Sequence, residues 1–535
     1  MQKVSLFREK LCFALAVVLS VFAVLAFCRI NFTNFLYNLV TSVTGWVIIV
    51  CSFIFAVCYK FLPLKKWLKN LLPSNPLTVT ERCYVLLCGI ICFIWAISFL
   101  NIGYGPDEVM RYDIPKYIYQ NNALPFGDEE VLRDPIWGFS YGFLLTLPNF
   151  LCVAFMKIMR LFSSESFMLL IAARMVSVFS NMGIAYLAIR ITKKIFNTPT
   201  RWIFIVLSTL IPQIVFVSSY VNNDSFGLMT AFGVIYAWIC GIESRWNIKS
   251  CIFLAVVNGA CLVSYRYYYS FVLCSLFVYV ISFIKFKNQG FDAKALIKRG
   301  LLIIGVALII CGPIFIRAFI LYGFDIFGTA HANECAQLYA AEGMKPDQLI
   351  AKTIQAQGFT LKQMLFDLEW YKTSFTSLFY RFGYMNVFAK DWIYRFFDSL
   401  CAVAVAGILI CPLRTNKECE ELLARCTLKQ NQAFNYITTL FFAAVAGAVT
   451  LCLSIYYSYT GDYQPQGRYI FGVLPVLLLL IAQAVEAIIN TLVPQKCAKK
   501  VKVAVTAILC GIVLITLMLG FMDCVKLFTV YDFKI

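Results

Sequence analysis

The residues best suited to chemistry lie in the stretch Gly105-Pro106-Asp107-Glu108, which directly follows an apolar run from Cys83 to Ile102. Two adjacent carboxylates at the end of a membrane-spanning segment are costly unless they serve a function. A carboxylate beside a cation stays ionised, and it can accept the proton of an attacking hydroxyl. We therefore predict that Asp107 and Glu108 are catalytic. The residues alone leave open that they cap a helix at the membrane interface.

Arg111 and Tyr112 follow the acid pair, and we predict that both bind substrate. Proline is favoured at the first position of a helix. A helix that begins after Pro106 would therefore place Asp107 and Arg111 on one face, because residues four apart are neighbours on a helix.

Asp224 ends the polar run Tyr220-Val221-Asn222-Asn223-Asp224, which lies between two apolar segments. We predict that Asp224 contacts substrate. A tight turn is the alternative, because Asn and Asp favour turns and Asp224 would then cap the following helix.

Arginines at the ends of apolar runs form a further group of candidates. A guanidinium binds phosphate through a planar fork, although long basic side chains also reach the interface without any function. Arg468 lies in the polar cluster Tyr463–Tyr469, where only Asp462 is a nearby acid in sequence. The predicted substrate-binding residues of this group are Arg266, Arg317 and Arg468, together with Tyr469 beside Arg468, and Arg174 is another arginine of the same kind. Arg381 is a further predicted substrate-binding residue. It lies in the second outer loop, in Tyr380-Arg381-Phe382-Gly383-Tyr384-Met385, a mixture that suits either sugar stacking or anchoring at the interface.

Metal binding is predicted only weakly by this sequence. His331 is the single histidine, which excludes a multi-histidine site. The acidic run Asp128-Glu129-Glu130 is either a solvated face or a contact for a divalent metal. We therefore name no metal ligand, and a divalent metal remains only a possible cofactor.

Membrane helices are the elements that must position these residues. Hydrophobic residues make up 61% of the 535 residues and charged residues only 14%, whereas a soluble domain has about half apolar and about a quarter charged residues. About thirteen apolar runs reach the roughly 20 residues that a spanning helix needs. We predict an all-α polytopic membrane protein with two long outer loops and a membrane-surface helix.

The distribution of basic residues predicts the orientation. The net charge is +18, and Lys and Arg mark cytoplasmic loops. Placing all the basic clusters inside requires that the segment from Phe139 to Phe162 does not span, and we predict that it lies on the outer surface. The chain has no basic soluble segment of the length that nucleic-acid binding would need. The basic clusters lie within 60–82, 190–201, 285–299, 414–429 and 496–502.

The predicted organisation has four parts. An N-terminal transmembrane hairpin with a basic inner loop (1–82) precedes a catalytic membrane module (83–322), which contains the first outer loop (103–141). The second outer loop (323–391) is followed by C-terminal transmembrane helices (392–535). Loops of this length are often functional, so we expect the active site to face outward.

The order of these motifs resembles the GT-C superfamily of integral-membrane glycosyltransferases, which use polyprenyl-phosphate sugars. The order is closest to a bacterial branch of unknown function, the domain of unknown function 2142, and the resemblance covers about residues 83–522. It rests on Gly105-Pro106-Asp107-Glu108, Val221-Asn222-Asn223-Asp224, Phe382-Gly383-Tyr384-Met385 and Gln466-Gly467-Arg468-Tyr469.

The resemblance implies a GT-C-like fold and a catalytic base at Asp107, with Glu108 beside it. Arg111-Tyr112 resembles the Arg-Tyr pair that follows the acids in aminoarabinose transferases, one residue further along. Members of the branch often have His where Met110 stands, and this departure weakens a metal role there.

The implied function is transfer of a sugar from a polyprenyl-phosphate carrier to a glycan, lipid or protein acceptor at the outer face of the cell membrane, with inversion at the anomeric carbon. Membrane lipids are the other expected partners, and no nucleic acid is expected. Two alternatives remain. One is a polysaccharide polymerase or ligase, which generally relies on arginine and histidine. The other is a lipid-linked glycan transporter, which would show internal repeats that we do not find.

Overall fold

The computed structural model describes residues 76–98, 103–196, 198–287, 291–410 and 430–531. Most of the predicted N-terminal hairpin (1–82) and the basic segment 414–429 lie outside the described residues. The described chain is almost entirely helical, as predicted, and its only strands form one small hairpin.

The bounds of the elements follow the apolar runs. The first half of the described chain contains α1 (Val79–Ser98), α2 (Glu108–Asn121), α3 (Leu147–Met159), α4 (Ser166–Ile195), α5 (Arg201–Leu210), α6 (Pro212–Val217), α7 (Asp224–Glu243), α8 (Ile248–Leu262), α9 (Tyr269–Phe286) and α10 (Ala293–Tyr322). The second half contains α11 (Thr329–Tyr339), α12 (Pro346–Ile350), α13 (Leu361–Phe366), α14 (Trp370–Phe379), β1 (Arg381–Phe382), β2 (Val387–Phe388), α15 (Asp391–Ile410), α16 (Gln430–Thr460), α17 (Leu474–Leu492) and α18 (Gln495–Tyr531).

Eight helices of the described chain are long and apolar enough to cross a membrane. They are α1, α4, α7, α10, α16 and α18, together with α9 and α17, each of which follows a short 3₁₀ turn. The predicted number of about thirteen spans is not confirmed. Helix α7 lies at the centre of the bundle, because it packs against α4, α8, α9 and α16.

Helix α3 occupies the segment that was predicted not to span. It has 13 residues, fewer than the roughly 20 that cross a bilayer. Thr146 and Asn149 form a capping box at its start, and Cys152 and Met156 are buried between α3 and α4. The element is thus a short apolar helix that packs along the bundle.

The segment between α10 and α15, which we call the second loop (residues 323–390), consists of short helices and the β1–β2 hairpin. The hairpin is antiparallel, with Phe382 opposite Val387. Its base is fixed, because Phe382 is buried against Trp95 of α1 and the Tyr380 hydroxyl donates to the Asp523 carboxylate of α18 at 2.6 Å. The second loop therefore contacts the bundle at both α1 and α18.

The second loop also contacts the segment that immediately precedes α17. The amide of Gly467 donates to the Ser377 hydroxyl of α14 at 2.7 Å. A Cβ on Gly467 would overlap the backbone nitrogen of Leu378, so only glycine allows the two backbones to approach this closely. This contact brings α14 next to Arg468.

Candidate functional site

The first acid of the predicted pair, Asp107, is the residue that precedes α2. Its φ of 63° and ψ of 5° are left-handed, a conformation that only Gly, Asn and Asp adopt readily. The helix begins at Glu108, two residues after Pro106, and the amide of Arg111 donates to the Asp107 carbonyl at 3.0 Å. The chain thus turns helical after Pro106, as the sequence indicates, and Asp107 lies in the turn that immediately precedes the helix.

Glu108 is fully buried in an ion pair with Arg174 of α4. One carboxylate oxygen accepts from Arg174 Nε at 2.8 Å and from the Val221 amide at 3.1 Å, and the other accepts from Arg174 Nη2 at 2.9 Å and from the Gly103 amide at 3.1 Å. Arg174 Nη1 also donates to the Ala96 carbonyl at the end of α1. A carboxylate enclosed in this way has no free oxygen for a substrate proton. The geometry thus favours a positioning role for Glu108 over the catalytic role predicted from sequence.

Asp107 instead contacts Arg468. Arg468 Nη2 lies 2.8 Å from Asp107 Oδ2, and the same nitrogen donates to the Tyr469 hydroxyl at 2.7 Å. Arg468 Nε donates to the Gln466 side chain at 2.8 Å. The acidic partner of Arg468 is therefore not the nearby Asp462 but Asp107, which is 361 positions away in sequence. Asp107 remains about one-third exposed, whereas Arg468 is almost fully buried.

Asp224 approaches the same guanidinium from the other side. It is the first residue of α7, and its Oδ2 lies 4.0 Å from Arg468 Nη1. Its Oδ1 is enclosed and has no hydrogen-bond partner in the described part of the chain. Asn222 holds the turn, since its side chain accepts from the Ser225 amide and donates to the Tyr220 carbonyl. The run from Tyr220 to Asp224 therefore forms a turn and also places Asp224 in the charged cluster.

Arg111 is the second cation of the site. Its guanidinium lies over the Tyr141 ring at 3.9 Å and faces the Tyr265 ring at 5.5 Å. Arg111 is within electrostatic range of both Asp107 and Asp224. Two carboxylates and two guanidiniums thus balance each other in one cluster, held by aromatic rings.

The charges of the cluster control the ionisation of Asp107. Burial by itself would raise the pKa of Asp107, but the positive charges of Arg468 and Arg111 outweigh that effect and hold the pKa below its usual value. A carboxylate between two guanidiniums is therefore ionised at neutral pH, which is the state that can accept a proton.

The remaining predicted residues divide into two groups. Tyr469 belongs to the site, because it binds Arg468 and packs on Tyr267 with ring centroids 5.0 Å apart. Tyr112 points the other way and is buried with Cys152 and other apolar side chains between α2, α3 and α4. The structure thus gives Tyr112 a packing contact where the sequence predicted a substrate contact.

The other three predicted arginines, Arg266, Arg317 and Arg381, make their contacts outside the charged cluster. Arg266 is exposed and lies 5.7 Å from the centre of the Tyr457 ring. Arg317 donates to the Pro125 carbonyl and so links α10 to the loop after α2. Arg381 donates to the Met385 carbonyl inside the β1–β2 hairpin at 3.0 Å. Their predicted substrate contacts stay predictions. Of these three arginines, only Arg266 is adjacent in sequence to residues of the site, Tyr265 and Tyr267.

A divalent metal does not fit the charged cluster well. The described residues contain no group of three or more His, Cys, Asp or Glu side chains that could hold a metal ion. Asp107 and Asp224 provide two carboxylates, and the Arg468 guanidinium lies between them. Divalent cations of the hard type take six or more oxygen ligands. We therefore derive no chemical step through a metal.

Sequence reasoning missed the aromatic residues that enclose the cluster. These are Tyr141, Tyr265 and Tyr267, and they carry no motif of their own. Tyr384, at the exposed tip of the hairpin, was noted only as part of a motif, yet it lies within electrostatic range of Asp107 and Arg468. A signal for Tyr265 and Tyr267 would have been the tyrosine-rich stretch 265–269, which contains Arg266, whereas Tyr141 had no comparable signal.

Comparison with known protein families identifies the class of protein. A family profile described as "Predicted membrane protein (DUF2142)" matches residues 141–480. Because the match covers more than half of the chain, the protein belongs to this family and is a multi-pass membrane protein. The predicted bacterial branch is thereby confirmed. The match includes Asp224, Arg468 and Tyr469 but begins after Asp107.

The solved structures to which this chain is similar include an oligosaccharyltransferase and ArnT. The Archaeoglobus fulgidus oligosaccharyltransferase in its apo form shares 14% identity at a TM-score of 0.45, with 83% of this chain and 56% of that chain covered. ArnT from Cupriavidus metallidurans bound to undecaprenyl phosphate shares 12% identity at a TM-score of 0.46, with 84% and 76% covered. This chain thus spans little more than half the length of the archaeal enzyme. No curated protein sequence gave a significant match.

Proposed function

We propose that this protein transfers a sugar from a polyprenyl-phosphate carrier to the hydroxyl of an acceptor at the outer face of the cell membrane. The observation that carries the proposal is the direct contact between Asp107 and Arg468. A partly exposed, ionised carboxylate and a buried guanidinium lie 2.8 Å apart. These are the two groups that such a transfer needs, a base for the acceptor and a cation for the leaving phosphate.

The chemistry follows from these two roles. The Asp107 carboxylate accepts the proton of the acceptor hydroxyl as that oxygen attacks the anomeric carbon. The bond between the anomeric carbon and the phosphate oxygen breaks, and the lipid phosphate leaves with the bonding electron pair. Arg468 stabilises the negative charge that the phosphate gains. Attack from the side opposite to the leaving group inverts the anomeric centre.

Arg468 has the donors to serve both partners. A guanidinium carries five N–H groups, and its contacts to Asp107, Tyr469 and Gln466 use Nη2 and Nε. Nη1 faces Asp224 only at 4.0 Å. A phosphate oxygen would therefore find donors on the side of Arg468 that faces Asp224. Arg111 is a second candidate for the same anion, because its ring contacts leave its in-plane donors available.

Assignment of the site to the outer face rests on charge. Helices α1, α5 and α18 begin at one end of the bundle, and basic residues lie at that end. Ala96, whose carbonyl accepts from Arg174 beside the site, lies at the other end of α1. The positive-inside rule assigns that basic end to the cytoplasm. The Asp107 cluster then lies at the outer face, where lipid-linked sugars without a nucleotide serve as donors.

The direct test is sugar release in vitro. We would reconstitute the full chain in liposomes with undecaprenyl-phosphate hexose or pentose and measure free undecaprenyl phosphate together with the sugar product. Asp107→Asn should reduce release by about 10²-fold or more. Asp113→Asn, on the same helix, is the matched control and should release normally. Movement of the intact lipid-linked sugar across the bilayer without bond cleavage would identify a transporter and overturn the proposal.

A further inference from the structure

A second feature of the molecule lies far from the charged cluster. A groove of about 410 Å³ runs between α1, α5 and α18. It lies on the outside of the bundle, because Leu87 and Leu514 on its edges are 45% and 41% exposed. Its walls are almost wholly apolar, and they include Leu87, Trp202, Val206, Ala507, Cys510 and Leu514.

Basic residues border the groove at one end. Glu81 pairs with Lys193 at 2.6 Å and with Arg201 at 3.0 Å, and Glu486 pairs with Lys502 at 3.1 Å. Three cations therefore face two carboxylates, which leaves one positive charge in excess. Arg201 is also the residue immediately before Trp202, which lines the groove. The end where α1, α5 and α18 begin is consequently basic.

Lys499 adds a further positive charge at the basic end of the groove. It is exposed and precedes Val503 by four residues on α18, so the two side chains share a face of the helix. Val503, Thr506 and Ala507 all line the groove. Lys499 therefore lies on the same stripe of α18, one turn beyond the basic end of the groove.

Thr506 supplies a polar group inside the groove. It lines the groove and is only 7% exposed, yet its hydroxyl has no hydrogen-bond partner in the described residues. A buried hydroxyl without a partner is costly in a membrane. Thr506 is four residues beyond Lys502, which corresponds to about 6 Å along a helix. Along the groove, the basic end is thus followed first by the Thr506 hydroxyl and then by the apolar channel.

We propose that this groove binds one acyl chain of an anionic phospholipid, with the lipid phosphate at Lys499 and Arg201. Basic pockets between transmembrane helices on the cytoplasmic side bind anionic head groups. The apolar walls accommodate the chain. Thr506 lies seven residues beyond Lys499, or about 10 Å along α18, so its hydroxyl is available to the glycerol esters of a lipid whose phosphate the long Lys499 side chain binds. The site is separate from the Asp107 cluster, and it does not depend on the proposed sugar transfer.

Retention of lipid tests the apolar part of the site. The full chain would be taken from nanodiscs of phosphatidylglycerol and phosphatidylethanolamine in equal amounts, and the lipids that stay bound in detergent would be measured by native mass spectrometry. Ala507→Trp should fill the groove and remove the retained lipid. Ala504→Trp is the matched control, because Ala504 is exposed on α18 but does not line the groove, and it should retain the lipid. Equal retention by the two variants would overturn the proposal.

The head-group part has its own pair of variants. Lys499→Gln should lower the preference for phosphatidylglycerol over phosphatidylethanolamine by about fivefold, since one basic residue near an anionic lipid contributes about that factor. Lys500→Gln, on a different face of α18, should leave the preference unchanged. These surface variants keep the test available even if Ala507→Trp fails to fold.

Two outcomes would contradict the choice of lipid. An unchanged preference in Lys499→Gln would remove the head-group site. Displacement of the retained phospholipid by undecaprenyl phosphate, measured in the same spectra, would assign the groove to a polyprenyl chain instead. Neither readout uses sugar transfer, so failure here and failure of the proposed function are distinguishable.

Discussion

Asp107 has a left-handed backbone conformation and pairs with an arginine that is distant in sequence. Its left-handed turn directs the side chain away from α2, toward Arg468, which belongs to the far end of the chain. An aspartate at this position adopts the conformation at little cost. Replacement by a residue that resists left-handed geometry would disturb the site as well as remove the carboxylate, so the choice of substitution matters.

Asp107→Asn is the substitution that isolates the chemistry. Asparagine also adopts left-handed geometry readily, so we expect the fold and its thermal unfolding temperature to be retained. Loss of the base should reduce turnover by about 10²-fold or more. Release of undecaprenyl phosphate per unit time measures this effect. Turnover near that of the unchanged protein would remove Asp107 as the base.

The pH dependence of transfer reports on the contact between Asp107 and Arg468. Because the nearby guanidiniums hold the pKa of Asp107 below its usual value, the carboxylate stays ionised as the pH falls from neutral into the weakly acidic range. Transfer should therefore persist over that range. In Arg468→Ala, burial raises the pKa with less opposition, so the acid limb of the rate profile should move to higher pH.

Arg468→Lys separates charge from geometry in the same experiment. An ammonium keeps the positive charge but loses the planar fork. We expect the acid limb to stay near its original position while the rate recovers only in part. An acid limb that does not move in Arg468→Ala would show that Arg468 does not control the ionisation of Asp107.

At the scale of elements, the Glu108–Arg174 pair joins α1, α2, α4 and the turn before α7. Arg174 binds both the start of α2 and the carbonyl of Ala96 at the end of α1. Glu108 also accepts from the Val221 amide in the turn that leads to Asp224. The pair thus fixes the two segments that carry Asp107 and Asp224.

Removal of one member of this buried pair should destabilise the protein strongly. Both side chains are fully enclosed, and an uncompensated charge left inside a protein costs about 3–5 kcal/mol. We expect Glu108→Ala to lower the unfolding temperature in detergent by far more than Glu243→Ala. Glu243 pairs with Lys194 in a surface bridge whose side chains are each about one-third exposed, and surface bridges contribute about 0–1 kcal/mol. Equal shifts in the two variants would show that the buried pair does not hold these elements together.

The sequence predicted the helices better than their contacts. Apolar runs identify elements such as α1 and α10, because the bilayer imposes length and composition on a spanning helix. The place of Asp107 at the end of a span was likewise visible. The partner of Asp107 was not, since the Arg468 side chain meets it across 361 positions. Burial of Glu108 and Tyr112 was equally hidden, because the turn at Asp107 decides which side of α2 faces the core.

At the scale of the whole molecule, the predicted orientation can be tested by labelling. Ala123 and Ala341 are exposed residues in the first and second loops, and Cys497 is exposed near the start of α18. In a background without other reactive cysteines, Ala123→Cys and Ala341→Cys should react with an impermeant maleimide from outside intact cells. Native Cys497 should react only after permeabilisation, because the basic end is expected inside. The reverse pattern would place the site in the cytoplasm.

The contact between Gly467 and Leu378 has a consequence for how access and reactivity are related. The Gly467 amide donates to the Ser377 hydroxyl of α14, so a movement of α14 away from the bundle would either break this hydrogen bond or displace the residue next to Arg468. The second loop and the cation that keeps Asp107 ionised are therefore linked through a single backbone contact. Under the proposed function, an acceptor that displaced α14 would also alter the basicity of the carboxylate that receives its proton.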